Sequence, residues 1–291
     1  MSTTTCTYPI VGAVRKADDV IGPDRIWRHT NELQRQFLGD FYFAPGALAE
    51  LARIPELSAI ASRDASEINA WLAERKFNIT LDPFPPHGFG TASMLDVAVQ
   101  WLTAGIVREV RLMTGGVVPG VVLKEGVSVF HSRRLGAVAR IETKNGDTVG
   151  ISRQVDVPTG LHLADYVRAR ASDDVRRISD YEGVHFPMVD LDQQPDISWL
   201  VNMETLGDDG FPYFVAQALQ QTKFKMNQFG ARVKSAAAIG VYRSSVQRSK
   251  PPLVIDGPFL VWIERPGLSR PFFVGFITDE DMKDPGDLSD M

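Results

Sequence analysis

Residues 221–277, QTKFKMNQFGARVKSAAAIGVYRSSVQRSKPPLVIDGPFLVWIERPGLSRPFFVGFI, decide how this chain folds. Residues 222–229 alternate well enough for a β-strand that leads into Gly230. Residues 230–252 are small and basic with few large apolar side chains, which predicts an exposed segment. PFLVWI (258–263) and PFFVGFI (271–277) then follow, separated by Glu264-Arg265-Pro266-Gly267. Two aromatic and β-branched runs divided by such a turn predict a buried hairpin. A long soft segment held between a strand and a core hairpin is a presented loop.

Composition sets the outer bounds. The 291 residues are 44% hydrophobic and 23% charged, ordinary for a globular protein, and are read as one domain spanning 1–291. No apolar run reaches transmembrane length, so no membrane partner is expected. The opening MSTTTCTYPIVGAVRKADD lacks a basic start followed by an apolar core, so a cytoplasmic protein, or one whose signal has been removed, is expected. The single Cys6 excludes an internal disulfide and leaves no basis for a cysteine metal cluster. A net charge of −5 argues against nucleic acid. Charge is locally uneven. Lys223, Lys225, Arg232, Lys234, Arg243, Arg248 and Lys250 fall within 221–250 without an acid, whereas 279–290 holds six acids against Lys283. A solvated basic loop and a frayed acidic tail over 279–291 are the plain expectation. A loop attracting an acidic partner, with the tail as competitor, is the sharper one.

Working outward, residues 1–16 read as a poorly ordered arm with one short strand. Ile26, Leu33 and Phe37 predict an amphipathic helix over 24–38. Residues 40–45 read as a short strand stopped by Pro45, and 46–52 as a small-residue helix packing inside a core. Residues 64–77 form a helix with Ile68, Trp71 and Leu72 on one face and acids at its start. Residues 82–91 are a Pro/Gly loop, and 92–104 suit either a helix or a buried strand. Strands are expected at 107–113, 118–124, 127–131 and 136–143, with a hairpin turn at Lys144-Asn145-Gly146-Asp147 and its return strand after it. A short helix is expected over 161–171. Many strands without a strand–helix–strand rhythm give an α+β fold.

The ordered pieces resemble the serpin family. Gly230, the small run Ser235-Ala236-Ala237-Ala238, Pro258-Phe259 and Phe273-Val274-Gly275 stand where that family has its hinge glycine, reactive-centre loop, Pro-Phe strand and closing strand. Ile68-Asn69-Ala70-Trp71 resembles the Ile-Asn-x-Trp of the helix that crosses the serpin main sheet. Residues 40–52 resemble the family's strand-then-buried-helix, with Ala44 and Ala47 in place of two serines. The resemblance implies a large mixed sheet with an antiparallel β core, a reduced set of helices, and 92–104 as the strand beside a loop-insertion gap. It also implies a strand over 184–190 and a helix over 197–206. The short link between Ala52 and Asp64 implies a deleted block, whose vacated surface a ligand, a partner or a twin subunit would cover.

No phosphate loop, nucleophile elbow or zinc-binding helix motif occurs, so no metal and no cofactor are expected. The candidate pocket residues are Asp96, an acid inside an apolar segment, with Trp101, His87 and His185. Their plainer roles are a turn-facing acid, a core indole, and surface or satisfied histidines. In a working serpin a cut loop inserts as an extra sheet strand, so alternate residues must be small. Ala231, Val233, Ser235 and Ala237 meet that need. The family's opening cluster of two serines, an asparagine and a histidine falls here on Ala44, Ala47, Val99 or Gln100, and Gln220. Gln228-Phe229 replaces the acidic pair before the hinge. The resemblance therefore implies a non-inhibitory protein that binds a small molecule or a protein partner. One alternative is an inhibitor of a trypsin-like protease, with Arg243-Ser244 or Arg248-Ser249 as the scissile bond. Another is an enzyme with a pocket opened by the deletion, though no catalytic constellation supports it.

Overall fold

The computed structural model describes residues 1–86, 88–171, 176–232 and 250–288. The chain divides into two compact units. One comprises 1–5, 97–193 and 223–291, the other 6–96 and 194–222.

The first unit is built on the predicted hairpin. Phe259–Glu264 and Phe273–Ile277 pair antiparallel, each with its apolar residues buried. They sit inside a seven-stranded sheet of order Thr3–Thr5, Phe273–Ile277, Phe259–Glu264, Thr148–Arg153, Gly136–Glu142, Val127–Ser132 and Arg176–Arg177. One face presents Val138, Leu260, Trp262, Val274 and Phe276 to Leu163 and Val167 of the helix Leu161–Ala171. The period-two alternation of strands meets the helical spacing of Leu163 and Val167 to make one dry layer. Gly150 lies under Trp262, where any side chain would collide with the indole. The turn at 144–147 needs Gly146, whose φ is +84°, and ends on Asp147. The Asp147 carboxylate is fully buried and holds the Arg265 guanidinium by two contacts, Nε at 2.8 Å and Nη2 at 2.9 Å.

Two four-stranded sheets and the two-stranded pair of Val110–Arg111 with Val117–Val118 complete this unit. The first runs Leu253–Val254, Val184–Pro187, Gly120–Leu123 and Ile106–Val107. The second runs Val189–Gln193, Thr222–Met226, Gly230–Arg232 and Ala98–Gln100. The chain changes sheet across Pro187-Met188, because a proline offers no N–H to continue a ladder. Met188 N–H instead donates to the Pro119 carbonyl at 2.9 Å.

The second unit is built on the antiparallel pair Leu57–Ser62 and Gly90–Leu95. Two helices pack on it, Thr7–Lys16 and Ala65–Glu74. The latter starts where Asp64 Oδ1 accepts the Ser66 N–H, an N-cap, and it buries Ile68 and Leu72 as its spacing predicts. Asn69 of the Ile-Asn-x-Trp motif grips the backbone of Leu81 at both ends. Its Nδ2 donates to the Leu81 carbonyl (2.9 Å) and its Oδ1 accepts the Leu81 N–H (2.8 Å).

Several sequence expectations are corrected. Residues 1–16 are not a loose arm but the strand Thr3–Thr5 and the buried helix Thr7–Lys16. Pro9 is tolerated there because the first-turn N–H groups have no helical partner. The strand-then-buried-helix is thus at 3–16, not at 40–52. Residues 38–42 form a π-helical turn rather than a strand, with Phe37, Phe41 and Tyr42 packed against one another. The helix Ala47–Leu51 buries no residue. The helix expected over 24–38 is confined to Glu32–Phe37, because Arg28 pairs with Glu204 and Asn31 caps from its own Oδ1. Residues 197–206 make one 3₁₀ turn, Ser198–Leu200, and the strand Glu204–Leu206. Asn202 at φ +66° breaks the helix between them, a conformation asparagine tolerates better than most residues. The tail is not frayed over its described length, since Met282, Pro285 and Leu288 are buried.

Candidate functional site

The candidate site is the turn over 226–232, at the start of the segment expected from the sequence to be a presented loop. Thr222–Met226 runs up to a tight turn and returns as Gly230–Arg232, with Met226 opposite Ala231 and Lys225 opposite Arg232. The returning strand also pairs on its other side with Ala98–Gln100, placing Gly230 opposite Gln100 and Ala231 opposite Val99. The first three residues of the expected loop therefore already fill a slot between two strands of one sheet. Gly230 is required there, because a side chain would drive its Cβ into the Val99 carbonyl. Ala231, a member of the small alternate set, is buried.

The turn itself is held from several directions. Asn227, 2% exposed, donates its backbone N–H to the Gly230 carbonyl at 2.9 Å. Its Oδ1 accepts the Phe229 N–H at 2.9 Å, an Asx turn that substitutes for a backbone bond. Trp101 contributes twice. Its backbone N–H donates to the Phe229 carbonyl at 3.1 Å, and its indole Nε1 donates to the Asn227 carbonyl at 3.0 Å. Gly105 N–H donates to the Gln228 carbonyl at 2.8 Å. The buried Trp101 ring meets Phe186 edge-on at 6.2 Å, which fixes the indole for that bond. Phe224 stacks on Phe273 at 4.4 Å, tying the hinge strand to the closing strand of the core hairpin.

The candidate pocket residues take separate places. Trp101 is part of the hinge. His185, 8% exposed, donates Nε2–H to the Arg108 carbonyl at 3.1 Å, the satisfied state of a buried histidine. Asp96 lies in the other unit, where its N–H donates to the Glu56 carbonyl and its Oδ1 is buried without a hydrogen-bond partner among the described residues. His87, Arg243, Ser244, Arg248 and Ser249 lie outside the described residues. Among the described residues no cluster of histidine, cysteine or acid side chains is placed to hold a metal ion. No described helix is long and apolar enough to cross a membrane.

Of the expected opening cluster, Ala44, Ala47 and Gln220 lie in the second unit, whereas Val99 and Gln100 lie in the first. Gln220 donates Nε2–H to the carbonyl of Cys6 at 3.2 Å. Cys6 is the junction between the N-terminal strand and its buried helix, so that junction, not Ala44 or Ala47, meets Gln220. Burial pushes the Cys6 thiol up to about 12, and a hydrogen bond with Thr222 only partly opposes this. The group is a protonated packing residue rather than a nucleophile. The same unit leaves Phe43 and Leu48 about half exposed, at 52% and 53%, and the expected short link from Ala52 to Asp64 is largely the strand Leu57–Ser62.

Sequence reasoning missed Asn227 and the tail. The signals were local: an asparagine three residues before a glycine, and Asp284-Pro285-Gly286, a turn sequence inside an acidic run.

No protein-family model and no curated protein matches the sequence. Solved structures do. The chain superposes on Serpin48 of the insect Tenebrio molitor with a TM-score of 0.53 at 12% identity, covering 93% of this chain and 96% of that one. It superposes on human thyroxine-binding globulin complexed with thyroxine at 0.53 and 11%, covering 96% and 100%. For Tengpin, a thermophilic serpin in its native state, the values are 0.56 and 10%, covering 96% and 88%. At these identities the likeness speaks for architecture alone: the chain has the serpin fold.

Proposed function

We propose that this is a non-inhibitory protein of serpin fold, in which residues 230–252 form a presented loop and the body binds a small molecule or a protein partner. The observation that carries the reading is the filled slot. Gly230–Arg232 is paired on both sides in the uncut chain, and its turn is fixed by bonds from Trp101, Gly105 and Asn227. A trap of the serpin kind draws its work from strand pairing that is withheld until the loop is cut. Pairing already made cannot be released later. The thyroxine complex among the similar structures supports a small-molecule ligand, and the exposed Phe43 and Leu48 offer apolar surface to a ligand, a partner or a second copy.

The second reading, an inhibitor of a trypsin-like protease, keeps one favourable observation. The slot accepts the loop's first residues with small Ala231 facing inward. Limited trypsin digestion read by intact mass, followed by thermal melting, separates the two. The first cut is expected at Arg243 or Arg248, with no protease complex surviving denaturation and a melting temperature changed by no more than about 5 °C. A large rise after nicking, or a denaturation-resistant complex, would establish the trap and end the non-inhibitory reading.

A further inference from the structure

The hinge has a second set of partners that strand pairing does not explain. Residues 282–288 run beside it. Asp284 Oδ1 accepts the Gly286 N–H at 2.9 Å, and Gly286 sits at φ +65°, so Asp284-Pro285-Gly286 makes a defined turn. Two carbonyls of that turn point at the hinge. Lys225 Nζ donates to the Pro285 carbonyl at 3.2 Å, and Asn227 Nδ2 donates to the Gly286 carbonyl at 3.1 Å. Met282, Pro285 and Leu288 are buried on either side of these bonds. Asn227 is therefore a shared part. Its Oδ1 closes the hinge turn while its Nδ2 holds the tail, so neither can rearrange without releasing the other.

We propose that the C-terminal segment 282–288 is a latch that holds the hinge in its inserted position, and that release of the tail frees Gly230–Arg232 to leave the slot. Tail docking and hinge insertion are coupled, each stabilising the other to the same extent. A partner that binds residues 282–288 as an extended acidic peptide would then regulate presentation of the loop. The regulatory consequence rests on the reading of 230–252 as a presented loop. The coupling itself does not, and it is measured without cutting the loop.

Hydrogen–deuterium exchange on the intact chain and on two variants provides the test. The first variant deletes residues 284–291. The second, Lys225→Met with Asn227→Asp, keeps the full tail. Its aspartate retains the acceptor for Phe229 N–H and loses the donor to Gly286, while methionine keeps the lysine's apolar stem. Both variants are expected to exchange at least about tenfold faster over 98–105 and 226–232, with the sheet at 138–151 unchanged. Adding the peptide of residues 282–291 to the deleted chain is expected to restore protection. Unchanged hinge exchange in the full-length double variant overturns the latch, whatever the folding of the deletion. Uniformly faster exchange that includes 138–151 also overturns it, because the tail would then serve general stability. A latch that passes while nicked protein shows the large thermal rise would leave the coupling standing and remove only the non-inhibitory reading.

Discussion

Replacing Trp101 by phenylalanine removes one bond from the hinge and little else. The indole N–H is the donor to the Asn227 carbonyl, and both residues are essentially buried, at 1% and 2% exposure. Phenylalanine retains most of the apolar area and the edge-on contact with Phe186. It leaves a buried carbonyl without that donor, at a cost of roughly 1–3 kcal/mol. The narrower ring also leaves a small void worth about 1 kcal/mol. The sum is a loss of about 2–4 kcal/mol. It should appear in urea unfolding followed by far-ultraviolet circular dichroism as a lower midpoint with the slope unchanged. It should also appear locally, as faster amide exchange at Trp101, Gly105 and Asn227. A loss below about 0.5 kcal/mol with unchanged exchange at those amides would mean that the turn does not depend on the indole bond. The reasoning that makes Trp101 a hinge residue rather than plain core would then fail.

Three further outcomes follow from groups already described. Asp147→Ala should cost about 3 kcal/mol in urea unfolding, because it removes the buried carboxylate that holds the mostly buried Arg265 guanidinium by two contacts. Arg265→Met in the same background should recover part of that loss. Cys6 keeps its proton in the folded chain up to about 12, whereas an unfolded thiol releases it near 9.0, so the folded state binds more protons in that window. Stability should therefore fall as pH rises from about 9 towards 12, by up to about 1.4 kcal/mol per unit, and Cys6→Ala should flatten that fall while changing nothing in it below pH 9. Asn69→Ala should cost about 1–3 kcal/mol by leaving both backbone groups of Leu81 without their partner, and exchange at Leu81 should quicken first.

What could be read from the sequence divides along a physical line. The hairpin 258–277, the turn at Gly146 and the helix Leu161–Ala171 were legible, because each has a strong local pattern and a terminus of its own. The helix 65–74 was legible for the same reason, with Asp64 as its cap. The misread pieces take their structure from distant partners. Thr3–Thr5 is a run of threonines whose only reason to be a strand is the edge offered by Phe273–Ile277. Residues 38–42 carry aromatic side chains that favour strands in isolation, and mutual stacking with Phe37 draws them into a wide helical turn instead. At the site, Gly230 was singled out by the family resemblance and Ala231 by its small size, and both fall in the paired strand Gly230–Arg232. The roles of Trp101 and Asn227 were not, because a hydrogen bond between residues 126 positions apart leaves no periodic trace.

The edge strand Thr3–Thr5 has a consequence for how the chain is made. Its partners in the ladder are Val274, Gly275 and Phe276, and Ser2 is hydrogen-bonded to Thr278, 276 positions away. At about 5–20 residues per second of synthesis, the first strand waits roughly 15–50 s for the only neighbour that satisfies its backbone. A nascent chain stopped before about residue 280 would hold that strand open and the hairpin unfinished. The seven-stranded sheet is thus closed only once residues 273–277 have been made, and during the wait an open strand edge must be kept from pairing with other chains.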